Sequence, residues 1–251
     1  MQRWLFLLLG LLASSQLSAE TVHIAAAANL RYVLPAIIAD FEAQHDTVEI
    51  AVTYAASGNL SNQIRHGAPY QVFLSADAES VAPLIADKQT KGPPFSFADG
   101  QLALFKKHNT DIELDLNLAG LKRYLQTDPQ QKIAIANPLH APYGRAAKRY
   151  MQQHDVWSLA LPHLVQAENA GQLTQFTLTG NVAVGFIPLS HAQQSIVGQQ
   201  GHYLTLPVIL NQQGVLTKRA TLAAELFVAF LQGDCARQHF LQQGFVVPGV
   251  P

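Results

Sequence analysis

The sequence has a single cysteine and few charges, and each shortage narrows the possible functions. Cys235 is the only cysteine in 251 residues, which excludes an internal disulfide and a lipid-carrying cysteine near the N-terminus. Charged residues make up only 13% of the chain, with 16 basic against 17 acidic residues. Nucleic acid, which requires a basic face, is therefore not an expected partner. An anionic ligand would have to be held mainly by neutral donors.

Common catalytic and nucleotide-binding motifs are also missing. The chain contains no Gly-x-Gly-x-x-Gly, no P-loop and no Gly-x-Ser-x-Gly elbow. Its ten histidines form no His-Glu-x-x-His or His-x₃-His pair, so the sequence does not indicate a zinc site. Ser57 and the Ser190-His191 pair leave a secreted serine hydrolase open as an alternative. Adjacent residues seldom form a catalytic triad, however, because a triad is a spatial arrangement. We therefore expect a protein that is not an enzyme.

The first 19 residues are typical of a signal peptide. Arg3 precedes the apolar run Trp4–Ala13, which is too short to span a bilayer comfortably. Small and polar residues follow, and cleavage is expected near Ala19, although Leu17 is bulkier than the residue usually preferred at that place. The sequence thus predicts a periplasmic protein.

One local unit recurs along the chain: a strand, a turn of small or polar residues, and the start of a helix. The unit occurs at Thr21–Leu30, at Thr47–Leu60 and again from Lys132 through Gly144. Strands that alternate with helices indicate a largely parallel sheet, whose ligands bind beyond the carboxyl ends of the strands.

The turns of these three units, and a fourth turn before a helix further along the chain, carry candidate hydrogen-bond donors. Asn29, Ser57, Tyr143 and the turn Asn169–Gly171 each stand where a helix begins. Helix N-termini attract anions because their first N–H groups have no intrahelical partner. Four such turns would surround a tetrahedral oxyanion with neutral donors, whereas ordinary helix capping would explain each turn separately. Arg145 is expected to be a solvated helix residue.

Five short segments stand out as a set: Ala25–Leu30, Tyr54–Leu60, Gly67–Asp77, Asn137–Ala147 and Val184–Ser190. Taken in this order, they resemble the periplasmic molybdate-binding proteins of ABC importers, and the resemblance extends from Val22 to Phe245.

The resemblance implies an α/β, two-lobed periplasmic-binding-protein fold of type II. Each lobe would be a mostly parallel sheet flanked by helices, with the ligand in the cleft between the lobes. Residues 20–101 and 206–251 would form the first lobe and residues 102–205 the second. The implied function is high-affinity binding of molybdate or tungstate by a monomer, and delivery to a membrane permease. Another tetrahedral oxyanion, such as sulfate, is the alternative, and the order of molybdate and tungstate is left open.

The resemblance also implies a ligand set. The first-lobe ligands would be Asn29 and Ser57, with the Ala28 backbone a weaker candidate, and the second-lobe ligands the backbone N–H groups of Tyr143 and Ala170. Molybdenum would be bound only as molybdate, through Asn29, Ser57, Tyr143 and Ala170, and no cofactor is implied.

The sequence departs from the family pattern in two places. Many members have Ser where this chain has Asn29, which can also donate a hydrogen bond. Some members have an oxyanion-binding Tyr at the position of Pro188, which has neither an N–H nor a hydroxyl. Our own inference is that the Tyr143 hydroxyl replaces this lost donor.

Overall fold

The structure is a computed structural model that describes residues 19–179 and 182–247. Of the predicted signal peptide, only Ala19 falls within these ranges. In them, no helix combines the length and the apolar character needed to cross a membrane. The described strands are β1 Glu20–Ala27, β2 Val48–Ala55, β3 Val72–Ser75, β4 Thr90–Lys107, β5 Ile133–Ala136, β6 Leu164–Ala167, β7 Val184–Pro188 and β8 Gly201–Thr217.

Helices follow most of these strands. The described helices are α1 Leu34–Glu42, α2 Ser57–Arg65, α3 Ala82–Ala86, α4 Ala119–Thr127, α5 Pro142–Gln153, α6 Trp157–Ala160, α7 Ala170–Thr179, α8 Leu189–Ala192, α9 Ser195–Gly198, α10 Leu222–Leu231 and α11 Asp234–Gln242. Single 3₁₀ turns lie at Ala28–Leu30 and Leu161–His163.

The strands form one continuous sheet in the order β2-β1-β3-β8-β4-β7-β5-β6. On one side β1 lies parallel to β2 and β3, and on the other β5 lies parallel to β6 and β7. The long strands β4 and β8 run antiparallel to each other between these two groups. We call β1–β3 with their helices the first lobe and β5–β7 with theirs the second lobe. The predicted two-lobed α/β fold, with a mostly parallel sheet in each lobe, is confirmed.

The strand β4 is longer than the sequence indicates. The Gly- and Pro-rich segment Lys91–Pro94 predicts a break, yet it lies inside β4. Its pairing with β8 shifts register between Lys91 and Phe95, and Gly92 has a φ of +74°. This irregularity in the β4–β8 pairing accommodates the Gly- and Pro-rich residues without ending the strand.

The core explains why α1 packs where it does. Leu34, Ile37 and Phe41 are fully buried and follow one another at helical spacing, so they form one face. Phe41 meets Phe227 of α10 edge to face at 5.2 Å between ring centroids. Burying an aromatic side chain of this kind contributes about 1.5–3 kcal/mol. This packing holds the turn at the end of β1 in position above the sheet.

Candidate functional site

The carboxyl ends of the first-lobe strands meet the starts of two second-lobe helices at one small cavity. All five residues predicted to bind a ligand line it. The complete lining is Ala27, Ala28, Asn29, Ala55, Ala56, Ser57, Ala76, Ala141, Pro142, Tyr143 and Ala170. None of these residues carries a formal charge at neutral pH. A larger groove beside Glu113 and Arg123 contains none of the predicted residues. The fold therefore brings the predicted donors together at one place.

Ser57 is the first residue of α2, and its hydroxyl is already oriented. Ser57 is fully buried, and its oxygen accepts a hydrogen bond of 3.0 Å from the Ala76 backbone N–H. A hydroxyl has one hydrogen to donate besides the lone pairs that accept. Because Ala76 occupies the accepting side, the hydroxyl hydrogen remains available as a donor at the cavity.

Asn29 does not cap a helix, contrary to the simpler interpretation of the sequence. It lies within the 3₁₀ turn Ala28–Leu30, and α1 begins only at Leu34. Its side chain is 1% exposed, and neither amide atom has a hydrogen-bond partner among the described residues. An unpaired buried amide costs about 1–3 kcal/mol, so its retention at a cavity wall favours a role in ligand binding.

The helix N-termini of the second lobe also face this cavity. The residue before α5 is Ala141, whose side chain cannot cap the helix, and Tyr143 is the second residue of α5. At α7 the Asn169 carboxamide oxygen accepts from the N–H groups of Gly171 and Gln172, at 2.9 and 3.1 Å. That cap leaves out the N–H of Ala170, the first residue of α7. The two helices can therefore present backbone donors to an anion.

The Tyr143 phenol is buried beneath the cavity. Tyr143 is 2% exposed, and burial raises the pKa of its hydroxyl far above the usual range, while the nearby Asn29 amide opposes the shift. No hydrogen bond of normal geometry joins the two side chains. The hydroxyl lies against Gly100 of β4, where an added Cβ would come within 2.2 Å of it. The phenol is thus neutral and able to donate.

Gln212 is a buried polar residue that the sequence analysis missed. It lies on β8 and is fully buried, and neither amide atom has a partner within the part of the chain that the structure describes. A Cβ on Gly100 would meet Gln212 Nε2 at 2.5 Å, next to the Tyr143 hydroxyl. Gln212 stands in the polar run Asn211–Gly214, which gives no local signal of burial, because its depth depends on how β4 and β8 pair.

Several contacts join the two lobes around the cavity. The Gly58 N–H donates to the His140 carbonyl at 2.9 Å, and the Ser190 hydroxyl donates to the Asn29 carbonyl at 3.2 Å. Arg145 Nη2 lies 2.5 Å from Asp77 Oδ2, with side-chain exposures of 14% and 20%. The sequence led us to expect that Arg145 is a solvated helix residue, and this expectation is wrong. Arg145 instead forms a sheltered ion pair with Asp77 between the lobes. Salt screens such a pair less than it screens one at the surface.

The serines and the histidine that suggested a hydrolase make other contacts. Ser57 accepts from Ala76, Ser190 donates to Asn29, and His191 Nδ1 lies 2.7 Å from the Thr174 hydroxyl. Within residues 19–179 and 182–247, no hydrogen bond joins a histidine to either serine. The described contacts therefore contain no serine–histidine pair of the catalytic kind.

We expect His191 to make the protein less stable at acidic pH. Burial lowers its pKa to about 3, with Arg31 also lowering it and the Ala28 and Asn29 carbonyls partly opposing the shift. The unfolded chain protonates this group near pH 6.5, whereas the folded chain does not, so stability falls as pH decreases from there toward 3. The slope approaches about 1.4 kcal/mol per pH unit only well below pH 6.5, so the loss between pH 7 and pH 5 is about 2 kcal/mol.

Urea unfolding of the parent and of His191→Gln at pH 7 and pH 5 measures this effect. The difference in unfolding free energy between the two pH values is expected to be smaller in the variant. Equal pH dependence of the unfolding free energy in both proteins would mean that the protonation of His191 does not cause the loss of stability at acidic pH.

Two lobes joined by a pair of long antiparallel strands, with a neutral cavity between the lobes, define a two-lobed solute-binding protein. The family model for bacterial extracellular solute-binding proteins matches residues 22–246. The chain is 32% identical to the molybdate-binding protein ModA of Rhodobacter capsulatus, over 78% of this chain and 77% of that protein. It is 31% identical to ModA of Azotobacter vinelandii, over 94% and 93% of the two chains.

A solved structure supports the same assignment. The periplasmic molybdate-binding protein of Azotobacter vinelandii superposes with a TM-score of 0.79 at 28% identity, covering 90% of this chain and 99% of that one. The chain therefore belongs to the bacterial extracellular solute-binding proteins and, among them, to the molybdate-binding family.

Proposed function

We propose that this protein captures molybdate or tungstate in its interlobe cleft and delivers it to the membrane permease of an ABC importer. The observation that carries the proposal is the cavity at the helix N-termini, lined only by uncharged residues and containing the unpaired amide of Asn29. A buried dianion is stable only where its oxygens find donors, and this cavity concentrates neutral donors from both lobes. The names of the relatives point to the same ligand.

Each residue proposed to bind the oxyanion has a defined donor. Asn29 donates through its amide, Ser57 through its hydroxyl hydrogen, and Tyr143 and Ala170 through their backbone N–H groups. The Ala28 backbone is a weaker contributor at the end of β1. Molybdate is the transported ligand and not a cofactor, and the protein is a monomeric carrier and not an enzyme. Nucleic acid is not a partner.

We also propose that the protein acts in the periplasm, after cleavage near Ala19. There it would release its ligand to the permease. The apolar segment after Arg3 supports export, because its length and flanking residues are those of a signal peptide.

We expect ligand binding to close the two lobes as a hinge. The proposed boundaries near Leu102 and Leu206 lie in β4 and β8, and the β4–β8 pairing shifts register between Gln101 and Ala103. A few residues at such an irregularity can absorb the change in backbone angles. Small-angle scattering is expected to show a smaller radius of gyration with saturating molybdate than without it. Superposable profiles would contradict the hinge.

A thermal-shift screen tests the proposed function. Molybdate and tungstate are expected to raise the melting temperature strongly, because a ligand that binds only the folded state stabilises it by mass action. Sulfate and phosphate serve as the competing oxyanions, and esterase substrates test the hydrolase alternative. A larger shift with sulfate than with molybdate, or turnover of an ester, would overturn the proposal.

Tyr143→Phe tests whether the phenol replaces the donor lost at Pro188. The change keeps the ring and the backbone N–H and deletes only the hydroxyl that lies beside Gly100 and Gln212. We expect about a tenfold loss in molybdate affinity, which corresponds to about 1.4 kcal/mol. Isothermal titration calorimetry measures it. Parent-like affinity would leave Tyr143 with a backbone contact alone.

A further inference from the structure

Three side chains of the kinds that bind metal ions converge on the surface of the first lobe. Asp40 lies near the C-terminal end of α1, away from the turn that carries Asn29, and Cys235 and His239 lie on α11. One potential ligand atom of each lies within 4.8 Å of the other two. None of the three lines the oxyanion cavity.

The helices hold this group in place for a simple geometric reason. Cys235 and His239 are four residues apart on α11, so their side chains project from one face. Ala236 and Phe240 are fully buried and fasten α11 to the core. Asp40 then meets the same face from α1, 195 residues earlier in the sequence than Cys235.

The contacts are already close to those of a coordination site. Asp40 Oδ2 lies 3.2 Å from Cys235 Sγ and 2.7 Å from His239 Nε2. A tetrahedral zinc ion with bonds of about 2.0–2.3 Å separates its ligand atoms by about 3.3–3.6 Å. Rotations of side chains that are partly open to solvent would provide this modest expansion.

We propose that Asp40, Cys235 and His239 form a binding site for a borderline-soft divalent cation, with Zn²⁺ as the best fit. A thiolate, an imidazole nitrogen and a carboxylate oxygen are the ligand types that zinc uses, and water completes the tetrahedron. Calcium and magnesium prefer oxygen ligands alone and do not suit this group.

Binding exchanges protons for the metal in a balanced way. Zn²⁺ displaces the thiol proton of Cys235 to solvent, and the thiolate becomes the sulfur ligand. His239 would coordinate through Nε2, so the proton that Nε2 now shares with Asp40 leaves that nitrogen, and the metal-bound ring carries its one proton on Nδ1. Asp40 exchanges its hydrogen bonds with the two partners for the metal. The occupied site would join α1 to α11 and so stabilise the first lobe.

Cobalt titration of the reduced, metal-free, untagged protein tests the site. Co²⁺ is expected to give a thiolate-to-cobalt charge-transfer band in the near ultraviolet and the intense visible bands of a four-coordinate ion. Zn²⁺ is expected to abolish both by displacement. Cys235→Ser is expected to remove the charge-transfer band, and His239→Gln and Asp40→Asn to weaken Co²⁺ and Zn²⁺ binding by about tenfold or more.

The matched control is His66→Gln, since His66 is an exposed histidine outside this group. It is expected to keep the parent spectrum and the parent zinc affinity. A weak spectrum of six-coordinate type, or a charge-transfer band that survives in Cys235→Ser, would overturn the proposal. Molybdate affinity is expected to be unchanged in Cys235→Ser, so this test is independent of the oxyanion site.

Discussion

Asn29→Ala and Ser57→Ala are each expected to weaken molybdate binding by about 10- to 150-fold. Each change deletes a hydrogen bond to a charged ligand, which contributes about 1.5–3 kcal/mol. Isothermal titration calorimetry at fixed pH and ionic strength measures the loss.

The two variants are expected to differ in stability without ligand. Ser57→Ala removes the acceptor of the Ala76 N–H, so it is expected to cost about 1–3 kcal/mol of folding free energy. Asn29→Ala removes an amide that has no partner in the described structure, so it is expected to cost less or even to stabilise the protein. Urea unfolding distinguishes these outcomes.

Ser61→Ala is the matched control for Ser57→Ala. Ser61 lies one turn further along α2 and is also buried, but it does not line the cavity. Its variant is expected to keep the parent affinity. If Ser57→Ala and Asn29→Ala also bind as the parent does, neither residue is a ligand.

Gly144→Ala is expected to disrupt both stability and binding. A Cβ at Gly144 would lie 2.0 Å from the Ala136 carbonyl oxygen and 2.7 Å from the Ala136 carbonyl carbon. Backbone atoms cannot rotate away, so the start of α5 would have to move from β5 and displace the Tyr143 N–H. Overpacking alone costs about 1–3 kcal/mol, and the displaced donor adds a loss in affinity of about tenfold or more.

Gly198→Ala is the control for this substitution. Gly198 also lies in a helix, but a Cβ there would meet nothing within 4 Å. We expect its unfolding free energy and molybdate affinity to match the parent or to improve slightly. A Gly144→Ala protein with parent stability and affinity would show that α5 does not have to approach β5 this closely.

The local parts of the fold were predictable from sequence because they depend on neighbouring residues. The strand-turn-helix unit at Thr47–Leu60 appears as β2 followed by α2, with Ser57 at the helix start. The alternation of strands and helices likewise predicted the parallel pairing within each lobe. The donor turns could then be placed at one edge of the sheet, where the cavity lies.

The features that the sequence did not indicate depend on contacts between distant segments. The pairing of β4 with β8 carries the strand through Lys91–Pro94, although Gly and Pro locally predict a break. Arg145 is sheltered because Asp77 approaches from the other lobe. Gln212 becomes part of the site's surroundings only when β8 lies beside Gly100. Local patterns do not encode such distances.

The most direct measurement is a crystal structure with bound tungstate, located by the anomalous scattering of tungsten. We expect one tungsten atom between the lobes, with its oxygens about 2.7–3.2 Å from the Asn29 amide, the Ser57 hydroxyl and the N–H groups of Tyr143 and Ala170. Tungsten bound elsewhere, or a cleft that stays free of tungsten at saturating tungstate, would contradict it.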